Sequence, residues 1–192
     1  MTMNDPYISP DGVLRNRLGI TDSSELEAAE ADITVARENA LRRRRVHGDY
    51  DLAHLRAFHR FIFGDIYDWA GELRTVDIAK YDAFCRSVHI ESYADEIFGK
   101  LTAATWLTAP DRDEFVAGLA EAYADINALH PFREGNGRAQ RAFLKQLSAD
   151  VGRTLAWAGL DPAQNEAASI AGFRGDLQPL IVMLDKHVLR EG

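Results

Sequence analysis

Between positions 130 and 141 the chain reads His-Pro-Phe-Arg-Glu-Gly-Asn-Gly-Arg-Ala-Gln-Arg, an imidazole, a carboxylate, two glycines and three arginines within twelve positions. His130 is the side chain here whose ordinary pKa lies near neutrality, which fits a general base. Gly135 and Gly137 flank Asn136 and let several backbone N–H groups converge on one anion. Ala139, Ala142, Phe143 and Leu147 then recur at helical spacing, so the glycine turn is predicted to be a helix N-terminus, a ready phosphate site. Arg138 and Arg141 fall three apart on that helix and share a face, with forked donors that suit phosphate oxygens. Glu134 is a hard oxygen ligand suited to Mg²⁺, which takes one or two carboxylates alongside phosphates and waters. The plainer reading is a helix-end histidine, a proline stop, an ordinary turn and a Glu134–Arg138 surface pair.

The elements that must hold this stretch are mostly helical. Residues 1–20, with Pro6, Pro10, Gly12 and Gly19, read as a turn-rich lead wrapped over the core. From Glu25, Leu26, Ala29, Ile33, Ala36 and Ala40 mark a helix of about five turns, with Asp22 or Ser23 as N-cap and Arg42–Arg45 as a solvated last turn. Leu52 to Phe63 form a second helix stopped at Gly64. His54 and His59 on it are five apart, the wrong spacing for a metalloprotease zinc pair, and read as packing or surface residues. Residues 72–90 break the helical period, with Val76 and Ile78 and then Phe84, Arg86 and Val88 alternating, which predicts a β-hairpin. Tyr93 to Trp106 is helical again. Phe115 to Leu129 runs straight into the motif and should end at His130, because the residue before Pro131 is pushed out of right-handed helix. A short helix over Ala163–Phe173 and a last one carrying Leu177–Val188, with Pro179 in its first turn, complete an all-α class with one hairpin.

The motif resembles, at every specified position, the signature of the Fic family, His-x-Phe-x-Asp/Glu-Gly-Asn-Gly-Arg-x-x-Arg. PYISPDGVLRNRLGI, DLAHLRAFHRFIFGDIYDWAGELRTV and ASIAGFRGDLQPL extend the resemblance, to short bacterial FicT-type toxins, over nearly the whole chain. It implies a Fic-fold helical bundle as a single domain over 1–192, with a catalytic core of about 50–190 and a flap hairpin over the active site. It implies transfer of AMP from ATP to a Tyr, Thr or Ser hydroxyl of another protein. His130 would take the proton, Glu134 would hold Mg²⁺, and Gly135 to Gly137 would cradle phosphates. Asn136 and Arg138 would neutralise charge on the α- and β-phosphates, Arg141 would orient the γ-phosphate, and Phe132 would anchor the loop in the core. Lys80, Tyr81, Phe84 and Cys85 would form the target-docking flap, which departs from the FicT pattern at Tyr81 and Ser87. Implied partners are the ATPase subunits of DNA gyrase or topoisomerase IV and a small antitoxin whose helix supplies a glutamate to Arg141. The rival readings are a Doc-like kinase, in which the glycine turn is degenerate, and an inactive interaction module, which would have lost His130 or Arg141. Thr34–Asn39 matches the Ser/Thr-x-x-x-Glu-Gly/Asn pattern of Fic inhibitory helices, and is expected to be a chance match because it lies inside the first core helix.

Bulk properties bound the rest. At 192 residues, 46% hydrophobic and 27% charged, the chain fits one domain. A net charge of −8 argues against sequence-independent nucleic-acid binding. One cysteine, Cys85, allows no intrachain disulfide, and no secretory or membrane-spanning run is visible, so the expectation is a soluble cytoplasmic protein.

Overall fold

Aspartates start four of the helices. In the computed structural model, which describes residues 5–80, 83–109 and 111–189, Asp22, Asp51, Asp111 and Asp161 each accept a hydrogen bond from a first-turn N–H. The helices they open are α1 (Ser23–Ala40), α2 (Leu52–Phe63), α4 (Arg112–Leu129) and α6 (Pro162–Phe173). Between and after them lie α3 (Ile90–Thr102), α5 (Asn136–Asp150) and α7 (Gln178–His187). Among the described residues the only β pairing is isolated bridges, so the chain is all-α as its periodicity predicts.

The centre is α4, which touches α3, α5, α6 and α7. It is buried nearly all round, from Phe115 and Val116 through Leu119, Tyr123 and Ile126 to Leu129, which makes it a core axis rather than a surface helix. Burial of this kind contributes about 1.5–3 kcal/mol per large apolar side chain. A second cluster joins Val13 and Leu26 to Ile62, Phe63, Ile66 and Tyr67, so the N-terminal residues and α1 clamp α2 from outside.

Three sequence expectations shift. Arg42–Arg45 lie beyond α1 rather than in its last turn, since Leu41 caps the helix; Arg44 sits over the Phe61 ring and Arg45 pairs with Asp150. The helix expected to reach Trp106 stops at Thr102, whose hydroxyl folds back onto the Phe98 and Gly99 carbonyls. Trp106 then sits in a separate 3₁₀ turn with its ring so close to Gly118 that a Cβ there would lie 2.2 Å from it. Residues 72–90 are a hairpin only at the tip, with one antiparallel bridge, Ala79 to Ala83, and a bond from Phe84 N to Ile78 O of 3.3 Å. The second arm ends there. Asp77 accepts from both the amide and the hydroxyl of Ser87, at 2.6 and 2.8 Å, and starts the 3₁₀ turn Ser87–His89 into α3, leaving Val88 exposed. Tyr81 lies outside the described residues.

Candidate active site

Pro131 stops α4, and His130 caps it in the left-handed region at φ 44°, ψ 60°. A non-glycine residue there is strained by on the order of 1–3 kcal/mol and persists only where its surroundings hold it. Its Nδ1 lies 3.1 Å from the Asn127 carbonyl, which can only accept, so Nδ1 carries the proton and Nε2 keeps its lone pair. The ring stacks on Phe84 at 3.7 Å and 12°. Burial pushes its pKa down to about 4, with a smaller push from the Arg74 and Lys80 cations, against the bond to Asn127. The imidazole is therefore neutral at pH 7 and able to accept a proton.

The loop from Pro131 to Gly135 is anchored from below. Phe132 is 1% exposed and stacks on His59 at 3.9 Å, as its expected core role requires. His59 itself is fully buried, accepts from Gly71 N at Nδ1 (2.8 Å) and so donates from Nε2 to the Glu134 carbonyl (2.8 Å). Burial pushes its pKa down to about 4 as well. Gly135 caps α5 at φ 79°, where a Cβ would lie 2.3 Å from the Phe63 ring. No side chain caps this helix, and the N–H groups of Asn136, Gly137 and Arg138 have no acceptor among the described residues. Unpaired N–H groups at a helix N-terminus are a favourable place for an anion.

Not every motif side chain faces it. Asn136 is 7% exposed and folds inward, its Oδ1 accepting from Phe132 N (2.9 Å) and its Nδ2 donating to Phe132 O (2.8 Å), so its side chain locks the loop. Arg138 turns toward α1. It pairs with Glu30, reaches Thr34 Oγ1 at 3.2 Å and lies over the Phe63 ring at 4.7 Å. Asn136 is thus bonded to Phe132, and Arg138 to Glu30 and Thr34, while both stay in the first turn of α5, where the resemblance puts the α- and β-phosphates. Arg141 stays with the site: its Nη1 lies 3.2 Å from the position a Gly137 Cβ would take.

His130, Gly137, Lys80 and Phe84 come together in one cleft of about 200 Å³ with Asn165, Ser169 and Phe173 of α6. Pockets that enclose a drug-sized ligand run to roughly 300–1,000 Å³, so this cleft can take only part of a nucleotide. Lys80 pairs with Glu166 of α6 across it. Cys85 is half-buried and tied by its N–H to the Ala128 carbonyl at 3.0 Å. A second cleft, about 470 Å³, is lined by Arg141 with Glu38, Phe58, Lys145 and Trp157. Glu38 has its pKa raised by burial, opposed first by Arg141, and forms no ion pair among the described residues. Sequence reasoning missed Glu30, the contact of Thr34 with Arg138, the role of Arg74 and the α6 residues; Thr34 opens the Thr34–Asn39 pattern, Arg74 lies in DLAHLRAFHRFIFGDIYDWAGELRTV and part of α6 in ASIAGFRGDLQPL, but nothing local marks their contacts.

No three His, Cys, Asp or Glu side chains converge on a possible metal position among the described residues. What the chain offers a divalent cation is one carboxylate, Glu134, 45% exposed beside the α5 N-terminus and already accepting from Gly135 N at 2.8 Å. One carboxylate shared with phosphate oxygens fits Mg²⁺.

A buried helix ending in a neutral histidine, set against an uncapped glycine-opened helix, defines an anion-binding transfer site on an all-α fold. Residues 49–148 match the Fic/DOC family, and the chain belongs to it. It is 38% identical over 191 residues to the probable protein adenylyltransferase Fic of Escherichia coli, covering 98% of this chain and 94% of that one. It is 37% identical over 187 residues to protein adenylyltransferase VbhT of Bartonella schoenbuchensis, covering 96% of this chain but spanning only 39% of that longer protein. Among solved structures, BepC of Bartonella tribocorum with bound AMPPNP superposes with a TM-score of 0.92 at 22% identity over all of both chains. The N-terminal Fic domain of a Bartonella quintana effector with bound ADP gives 0.88 at 25%, covering 96% and 95%.

Proposed function

We propose that this chain transfers AMP from ATP to a Tyr, Thr or Ser hydroxyl of another protein. The observation that carries the reading is a neutral His130 with a free Nε2 lone pair in the same cleft as Gly137, at the uncapped N-terminus of α5. The names of the E. coli and Bartonella relatives and the nucleotide in the B. quintana structure support it. In this reading Nε2 takes the hydroxyl proton as the oxygen attacks the α-phosphorus, and the bond to the bridging oxygen breaks to release pyrophosphate. The α5 N–H groups and Arg141 stabilise charge on the phosphates, so the protein acts mainly by position and field. Glu134 would hold Mg²⁺ jointly with phosphate oxygens, and the bound ion would supply charge neutralisation there.

The target would lie along the flap edge at Lys80, Tyr81, Phe84 and Cys85, adding an extended segment to it. The family resemblance makes the ATPase subunits of gyrase and topoisomerase IV the first targets to test, in the cytoplasm. It also points to restraint by a small antitoxin. The 470 Å³ cleft beside Arg141, rimmed by Lys145, is where a helix bearing a glutamate would reach that arginine.

ATP labelled at the α-phosphate, incubated with the chain and a bacterial lysate, should mark target bands that γ-labelled ATP leaves blank. His130→Ala should abolish the marking. Marking by the γ-label alone would make the chain a Doc-like kinase, and no marking by either would leave an interaction module.

A further inference from the structure

We propose that Arg74 is a positioning residue for this reaction, a three-pronged clamp that holds the flap in register with His130. The proposal rests on the transfer reading above for its kinetic consequence, and on geometry for its structural one.

Arg74 is the largest fully buried side chain among the described residues, 2% exposed, and a cation in that position is normally paired with a carboxylate. Asp77 pairs with it at 4.0 Å and also accepts from the Ser87 amide and hydroxyl. The guanidinium spends its fork on three backbone carbonyls from three segments. Nε donates to His130 O at 2.8 Å, Nη1 to Val76 O at 2.8 Å and Nη2 to Cys85 O, while the Arg74 backbone N–H donates to Pro131 O at 2.9 Å.

Those segments are the end of α4 and both sides of the flap. The His130 amide closes the α4 ladder on Ile126 O at 3.2 Å, but its carbonyl, at the left-handed cap with no turn following, needs an outside partner. Among the described residues the flap has one bridge of its own, too little to hold its shape unaided. One side chain supplies both needs. The hydroxyl docked on the flap and the Nε2 lone pair that must deprotonate it are thereby referred to a single rigid group. Lysine could not replace it, because one nitrogen cannot span three carbonyls in a plane.

The test uses the full-length chain with Arg74→Lys, which keeps the charge and loses the fork, and Arg74→Met, which loses both. Folded fraction is counted by binding stoichiometry of a fluorescent ATP analogue. Residue-resolved hydrogen exchange should show the Cys85 and Arg74 amides exchanging at least about tenfold faster in Arg74→Lys, with amides in the middle of α4 and α5 unchanged. Labelling of lysate proteins from α-labelled ATP, per nucleotide-binding site, should fall about 100-fold in kcat, the usual consequence of an ångström of misplacement, with KM for ATP changed less than about threefold. A general loss of stability would instead speed exchange everywhere and lower the binding stoichiometry. Arg74→Lys that labels within about threefold of wild type, or whose Cys85 amide is as protected as before, overturns the proposal. If Arg74→Met does not fold, Arg74→Lys decides alone. A wild-type chain that labels nothing overturns the transfer reading, and the exchange measurement then decides whether Arg74 is the clamp.

Discussion

Lowering the pH from 7 to 5 should destabilise this protein by about 4 kcal/mol through two buried histidines alone. His59 and His130 each have an ordinary pKa of 6.5 pushed down to about 4 by burial. A base whose folded pKa is depressed binds protons more readily when unfolded, so its contribution is fully present above pH 6.5 and is lost as pH falls toward 4. At pH 5 the unfolded imidazole is mostly protonated and the folded one mostly not, which is worth about 2 kcal/mol per histidine relative to pH 7. The carboxylates act elsewhere or oppose. Asp77 and Asp150, held low by Ser87 and Arg45, lose their contribution only near pH 4 and below, while burial of Glu38 and Asp125 raises theirs and offsets part of the fall. Urea unfolding at pH 7 and pH 5 measures the difference. His59→Gln keeps a donor for the Glu134 carbonyl and removes one titration, so its loss over the same window should be about 2 kcal/mol smaller than wild type. An equal loss in variant and wild type, or a His59 ring signal that titrates near 6.5 by NMR, would refute the reasoning.

Gly135→Ala should cost about 3 kcal/mol or more, since it combines a left-handed backbone with a methyl driven into Phe63. Gly137→Ala meets only the movable end of Arg141, and should unfold within about 1 kcal/mol of wild type while labelling falls, because the methyl stands in the anion site. The pH profile of labelling should show no acid limb between pH 8 and 5.5, as His130 stays neutral throughout; a limb near 6.5 would mean that the ring is solvated. Glu38→Gly should change labelling by less than about tenfold, or about 1.4 kcal/mol of barrier, because Glu38 shares a cleft with Arg141 without pairing to it. A larger gain in activity would make α1 an inhibitory helix after all.

The local features were legible where the chain states them locally. The Asp22 cap, the Pro131 stop and the Gly135 turn each follow from one or two neighbouring residues, and the inward Phe132 from the family resemblance. What stayed hidden depends on distant partners. The Glu30 and Thr34 partners of Arg138 sit on α1, more than a hundred positions away, and the Phe132 partner of Asn136 is set only when the loop closes. The hairpin was overread because alternation at Phe84, Arg86 and Val88 competes with Asp77 capping Ser87, and two side-chain bonds outweigh a marginal strand. Arg74 carries no pattern of its own; its partners are backbone carbonyls, which any sequence supplies.

The outer clamp formed by the N-terminal residues and α1 decides what can be transplanted between relatives. The family match begins at residue 49, yet Asp5 holds Arg133 at 2.8 Å, the Tyr7 hydroxyl accepts from Thr75 N at 3.1 Å, and Glu30 holds Arg138. A graft cut at 49 would move the whole motif into a new host, strip Arg133 of Asp5 and leave Arg138 with only its 3.7 Å pair to Glu134. It would also bare the side of α2 that Val13 and Leu26 cover. A swap that begins upstream of Asp5 carries these supports with it, so exchanges among these proteins should be tolerated at that junction and fail at the one the family match marks.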